Sequence, residues 1–115
     1  MPEVAFYVLG DLPCSIWRQS NFGQLCGYVG LPKSHPWYGQ GYGDINVEVH
    51  GGLTWSQHEK NRNGAAYPHE TGDTWWIGFD CAHFYDDTNP KDEDYVRGEI
   101  ESLVHQAAVA YRNPV

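Results

Sequence analysis

The sequence predicts a single α+β domain, a mostly antiparallel twisted sheet packed against one long C-terminal helix. Three observations carry this. Short β-branched and aromatic runs recur between Gly- and Pro-rich breaks, with thirteen Gly and seven Pro in the chain. Helical spacing occurs once, near the end. Strands followed by a terminal helix, without βαβ alternation, give α+β rather than a parallel α/β fold. A chain of 115 residues is the size of one domain, and 41% hydrophobic with 15% aromatic residues supplies a core.

The elements follow in order. Residues 4–9 (VAFYVL) read as a first strand closed by Gly10. Residues 11–24 show no clear period, and a short turn or single helical turn is expected near 15–19. Residues 25–31 (LCGYVGL) read as a strand loosened by two glycines. Residues 32–44 (PKSHPWYGQGYGD) form a Pro/Gly/aromatic loop long enough to serve as a lid or ligand-contacting loop. In residues 45–50, Ile45, Val47 and Val49 alternate with Asn46, Glu48 and His50, which predicts a half-buried strand. Gly51 and Gly52 permit a bend, and residues 53–55 resume an extended course. Residues 56–73 are a polar connection, and residues 75–82 return as a strand. Residues 92–111 place Val96, Ile100, Leu103, Val104, Ala107 and Tyr111 on one helical face, with Asp92, Glu93 and Asp94 at the favourable N-terminus.

Charge narrows the function. Fifteen acidic against seven basic residues give a formal net charge of −8. No basic cluster is present to neutralise phosphates, so neither long nucleic acid nor an anionic membrane surface is an expected partner. Cys14, Cys26 and Cys81 are odd in number and form no CxxC pair, which suits free thiols in a reducing compartment. The first residues lack a basic segment before a long apolar run, and nothing reaches the length of a membrane span. A cytoplasmic, soluble protein is expected.

Alternation over residues 75–82 puts Trp75, Ile77, Phe79 and Cys81 on a core face, with Trp76, Gly78, Asp80 and Ala82 on the other. If residues 45–50 lie beside them in one sheet, Glu48, His50, Trp76 and Asp80 share the non-core face. Gly51, Gly52 and Gly78 would then leave room for a ligand near the backbone. Three chemistries suit such a face. A divalent metal (zinc, manganese or iron) could be held by His50, Asp80, His83 and Asp86, although the spacing matches no established metal motif. A His50–Asp80 pair could move protons, with Thr54 or Cys81 as nucleophile. Trp37, Tyr38, Tyr42 and Trp76 could stack on a ring system. His35 and His69 flank prolines as turn residues, while His58 and His105 read as solvated surface positions.

Taken together, CGYVGLPKSHPWYG, VHGGLTW and WWIGFDCAH, followed by an acidic loop and a terminal helix, resemble a group of small bacteriophage and prophage proteins. HGGLT (residues 50–54) and GFDCAH (residues 78–83) are the specific parts. The resemblance implies one site formed by His50, Gly51, Gly52, Asp80 and His83, in the cytoplasm of an infected or lysogenic host. It implies no reaction. By analogy of lifestyle, such a protein would sequester or cleave a nucleotide signal of host defence.

The leading expectation is therefore a protein that binds, and in the stronger form hydrolyses, a small nucleotide-like molecule. His50, Asp80 and His83 are the candidate catalytic residues. Trp37, Tyr38, Gly51, Gly52, Thr54 and Trp76 are the candidate ligand contacts. The alternatives are a metal-dependent hydrolase using His50, Asp80, His83 and Asp86, and an inhibitor or scaffold that binds a host protein. Ligand identity and oligomeric state are not specified by the sequence.

Overall fold

The computed structural model describes residues 3–19, 24–49, 51–58, 73–80 and 93–112. Its strands are β1 (Glu3–Leu9), β2 (Leu12–Arg18), β3 (Leu25–Leu31), β4 (Trp55–His58) and β5 (Trp75–Asp80), followed by helix α1 (Glu93–Arg112). The strands form one antiparallel sheet in the order β1-β2-β3-β5-β4, backed by α1. Gly10 and Asp11 both take positive φ (57° and 65°) between Leu9 and Leu12. That is the primed two-residue turn whose twist matches a hairpin.

The core lies between the sheet and α1. Cys14 and Ile16 of β2, Leu25, Val29 and Leu31 of β3, and Ile77 and Phe79 of β5 meet Val96, Ile100, Leu103, Val104 and Ala107 of the helix. These helical positions recur at the spacing that makes one apolar stripe. Gly27 sets the closest approach. A Cβ there would sit 2.6 Å from Phe79 Cζ and 3.1 Å from Ile100 Cγ1, so the missing side chain is what lets β3, β5 and α1 pack together. At the helix N-terminus, Arg97 bonds Glu93 one turn back at 2.8 Å and lies 4.5 Å over the Tyr7 ring, tying α1 to β1.

Three segments depart from the sequence expectation; the first is residues 56–58, expected in the polar connection but part of β4 (Trp55–His58). Residues 12–18 form a full strand where a turn was expected. Ser15 hides the period because it is buried at 1% exposure on the helix-free face, where its hydroxyl donates to Glu3 Oε2 at 2.6 Å. Pro13 breaks no ladder bond, since β2–β3 pairing begins one residue later at Cys14↔Val29.

Residues 45–49 are extended but lie outside the sheet, so the expected pairing with β5 is corrected. Both neighbours of β5 are already taken, by β3 and β4. Ile45 is still buried and Asn46 and Glu48 exposed, so the alternation is real. The segment's partner is the helix. Glu48 N–H donates to Gln106 Oε1 at 2.9 Å, and Gln106 Nε2 donates back to the Glu48 carbonyl at 2.8 Å. One side-chain amide thus replaces a neighbouring strand.

Candidate ligand-binding site

The loop 32–44 is built from successive short turns. His35 N–H donates to Pro32 O, Tyr38 N–H to His35 O, Gln40 N–H to Trp37 O and Asp44 N–H to Gly41 O, at 2.9–3.0 Å. Its side chains anchor it at both ends. Towards the helix, Ser34 and Tyr111 hydroxyls bond at 2.8 Å. His35, 4% exposed, accepts the Trp37 N–H at Nδ1 (3.0 Å), which leaves the proton on Nε2 to donate to Ala107 O at 2.8 Å. Burial lowers the His35 pKa, so this neutral tautomer is the one the packing favours.

Towards the sheet, Trp75 Nε1 donates to Gln40 O at 3.0 Å and Tyr42 N–H to Ser56 Oγ at 2.8 Å. The glycine-rich stretch is therefore a braced wall rather than a loose lid.

Between this wall and the β4–β5 hairpin lies a polar cluster. His58 ends β4 opposite Trp75, two residues after Asp73. The Asp73 carboxylate accepts at one oxygen, Oδ1, from the Tyr38 hydroxyl and from His58 Nε2, the latter at 2.8 Å. Its other oxygen has no partner among the described residues. The Tyr38 ring stands 6.1 Å from both the His58 and Trp75 rings. The Tyr38 and then the His58 hydrogen bonds lower the Asp73 pKa, so the carboxylate is held ionised. The imidazole is tucked in at 15% side-chain exposure while the carboxylate stands out at 48%. The result is an anionic acceptor, oriented by two donors and flanked by aromatic rings.

The residues singled out in the sequence are distributed differently. Tyr38 belongs to this cluster. Trp37 lies 5.0 Å from the His35 ring and packs on the core edge. Trp76 and Asp80 point to the opposite face of the sheet, Trp76 at 1% exposure and Asp80 half-buried across from Cys26. Gly51 and Gly52 take positive φ (69° and 80°) in a turn closed by Gly52 N–H to Val49 O at 2.9 Å. Thr54 N–H bonds Gly78 O at 2.9 Å, prolonging the β4–β5 ladder.

The strip at Gly78, expected to admit a ligand, is filled by the chain itself. A Cβ there would lie 2.4 Å from Tyr28 Cδ1, and Tyr28 meets Trp55 edge-on at 5.4 Å. His50, Cys81, His83 and Asp86 lie outside the described residues. Among the described residues no group of three or more His, Cys, Asp or Glu is placed to hold a metal ion.

Burial raises the Cys14 pKa to about 12 and also raises that of Cys26, which makes both thiols inert at neutral pH. His58 and Asp73 were missed in the sequence, where one read as solvated surface and the other as part of a polar connection. The usable signal was register. Once residues 55–58 are a strand antiparallel to 75–78, His58 faces Trp75 and the residues just before it.

The chain matches no family model, no curated protein and no solved structure in the comparisons made. Among the described residues no helix is long and apolar enough to cross a membrane.

Proposed function

We propose that the protein binds a small, ring-bearing molecule rich in hydrogen-bond donors, of the nucleoside or nucleotide kind, at Tyr38, His58, Asp73 and Trp75. The observation that carries this is the Asp73 carboxylate. It is kept ionised by Tyr38 and His58, both of which donate to one oxygen, Oδ1. Such a group accepts from a base amide and amine edge or from a ribose diol, at charge-assisted strength. The Tyr38 and Trp75 rings offer apolar surface beside it, and stacking contributes about 1–3 kcal/mol per base. The resemblance to phage proteins implies no reaction; a nucleotide signal of host defence, bound or cleaved, enters only by analogy of lifestyle. His58 bonded to Asp73 is the pair such a step would use as general base.

A panel of nucleosides, mononucleotides and cyclic dinucleotides, screened by thermal shift and by chromatography for turnover, tests this. A ligand at about 100 times its Kd should stabilise the wild type by about 2.7 kcal/mol. Asp73→Asn should fold and lose that response, because its carboxylate is half-exposed and outside the core. Equal ligand stabilisation of Asp73→Asn and the wild type would refute the site.

A further inference from the structure

A concavity lies on the far side of the same loop, between the β1–β2 turn, Pro32 and the last two turns of α1. Its volume is about 360 Å³; Leu12, Pro32 and Ala108 give it apolar surface over the buried His35 and Ala107, and Asp11 and Arg112 are its exposed charged residues. That size is at the small end of ligand sites, which hold few but well-placed polar groups.

The walls are held in place by bonds already described: His35 to the Ala107 carbonyl, and Tyr111 to Ser34. Space exists because alanines face a glycine turn. A Cβ on Gly10 would already come within 3.2 Å of Val104 Cγ1. Asp11 is held at positive φ by the hairpin, so its position is set by the backbone. Asp11 and Arg112 have opposite charges and line one cleft. Neither side chain has an ion pair or hydrogen bond to a described residue.

We propose that this cleft binds a small zwitterion of the α-amino-acid type with an apolar side chain. Its carboxylate is taken by the Arg112 guanidinium and its ammonium by the Asp11 carboxylate. The side chain lies against Leu12, Pro32 and Ala108. A ligand with only one charge would leave one of the two residues unanswered, and a purely apolar one would leave both.

The experiment is calorimetric titration of the wild type with leucine, phenylalanine, N-acetyl-leucine and leucinamide, each to about 10 mM, which reaches millimolar Kd values. Saturable binding of leucine or phenylalanine is expected. Loss of one charged contact, in N-acetyl-leucine, in leucinamide, in Asp11→Asn or in Arg112→Gln, should weaken it by about tenfold or more. Asn tolerates the positive φ at position 11, so Asp11→Asn preserves the turn. Matching melting curves would show that both variants fold. Asp73→Asn should bind the amino acid as the wild type does, which separates this site from the nucleotide reading. No saturable binding by either free amino acid, or equal affinity for leucine and its one-charge analogues, would overturn the proposal.

Discussion

Three glycines with different surroundings separate packing from propensity at the scale of the residue. At Gly78 a methyl group would meet the Tyr28 ring at 2.4 Å, so Gly78→Ala must push Tyr28 off Trp55. A loss of about 1–3 kcal/mol in urea denaturation is expected, in the range for overpacking. Gly27→Ala should cost at least as much, because the obstacle there is Phe79 inside the core. Gly98, in α1, has nothing within 4 Å of its virtual Cβ. Gly98→Ala should therefore stabilise the protein by about 0.5–1 kcal/mol through helix propensity alone.

His35 supplies the pH dependence at the same scale. Its pKa in the folded protein is below the ordinary 6.5, so the unfolded chain binds the proton more readily. The stability it contributes is whole above pH 6.5. It declines as the pH falls below that value, until the folded imidazole itself protonates. Asp73, also lowered, acts in the same sense below its ordinary 3.8. Thermal melts of the wild type should fall from pH 7 towards pH 5, whereas His35→Gln, less stable throughout, should lose that slope. An unchanged slope in His35→Gln would show that another group titrates.

Among the elements, the segment 45–49 is the instructive one. Its alternation is that of a strand, yet its ladder is a single glutamine. Gln106 bonds Ser102 Oγ at 3.2 Å one turn back, which helps to aim its amide at Glu48. Gln106→Ala should cost about 0.5–1.5 kcal/mol per lost bond and speed amide exchange at Glu48, while exchange in β3 keeps its rate. The loop 32–44 is the other decisive element. It bonds α1 through Ser34 and His35, and Asp73, Trp75 and Ser56 through Tyr38, Gln40 and Tyr42, so one stretch borders both the α1 cleft and the Asp73 cluster.

For the whole molecule, a net charge of −8 on a 115-residue chain is the dominant long-range feature. Raising the ionic strength from about 0.01 to 0.15 M shortens the Debye length from ~30 to ~8 Å, which relieves self-repulsion. The melting temperature should therefore rise over that range. A fall would mean that favourable ion pairs outweigh the net charge.

How much was legible in the sequence differs from element to element, for physical reasons. The helix follows from local periodicity, because its one buried stripe from Val96 to Ala107 imposes a period, and strands 4–9, 25–31 and 75–80 follow from β-branched and aromatic runs bounded by breaks; together they give the α+β class. Residues 12–18 were illegible because Pro13 and a buried Ser15 break both the apolar run and the alternation that would mark a strand. Residues 45–49 misled because period 2 reports an extended backbone with one buried side and is silent about what pairs with it. Tyr38 could be singled out from its loop, but His58 and Asp73 could not. Their meeting depends on the β4–β5 register and on where the loop comes to rest, and both are settled by long-range packing.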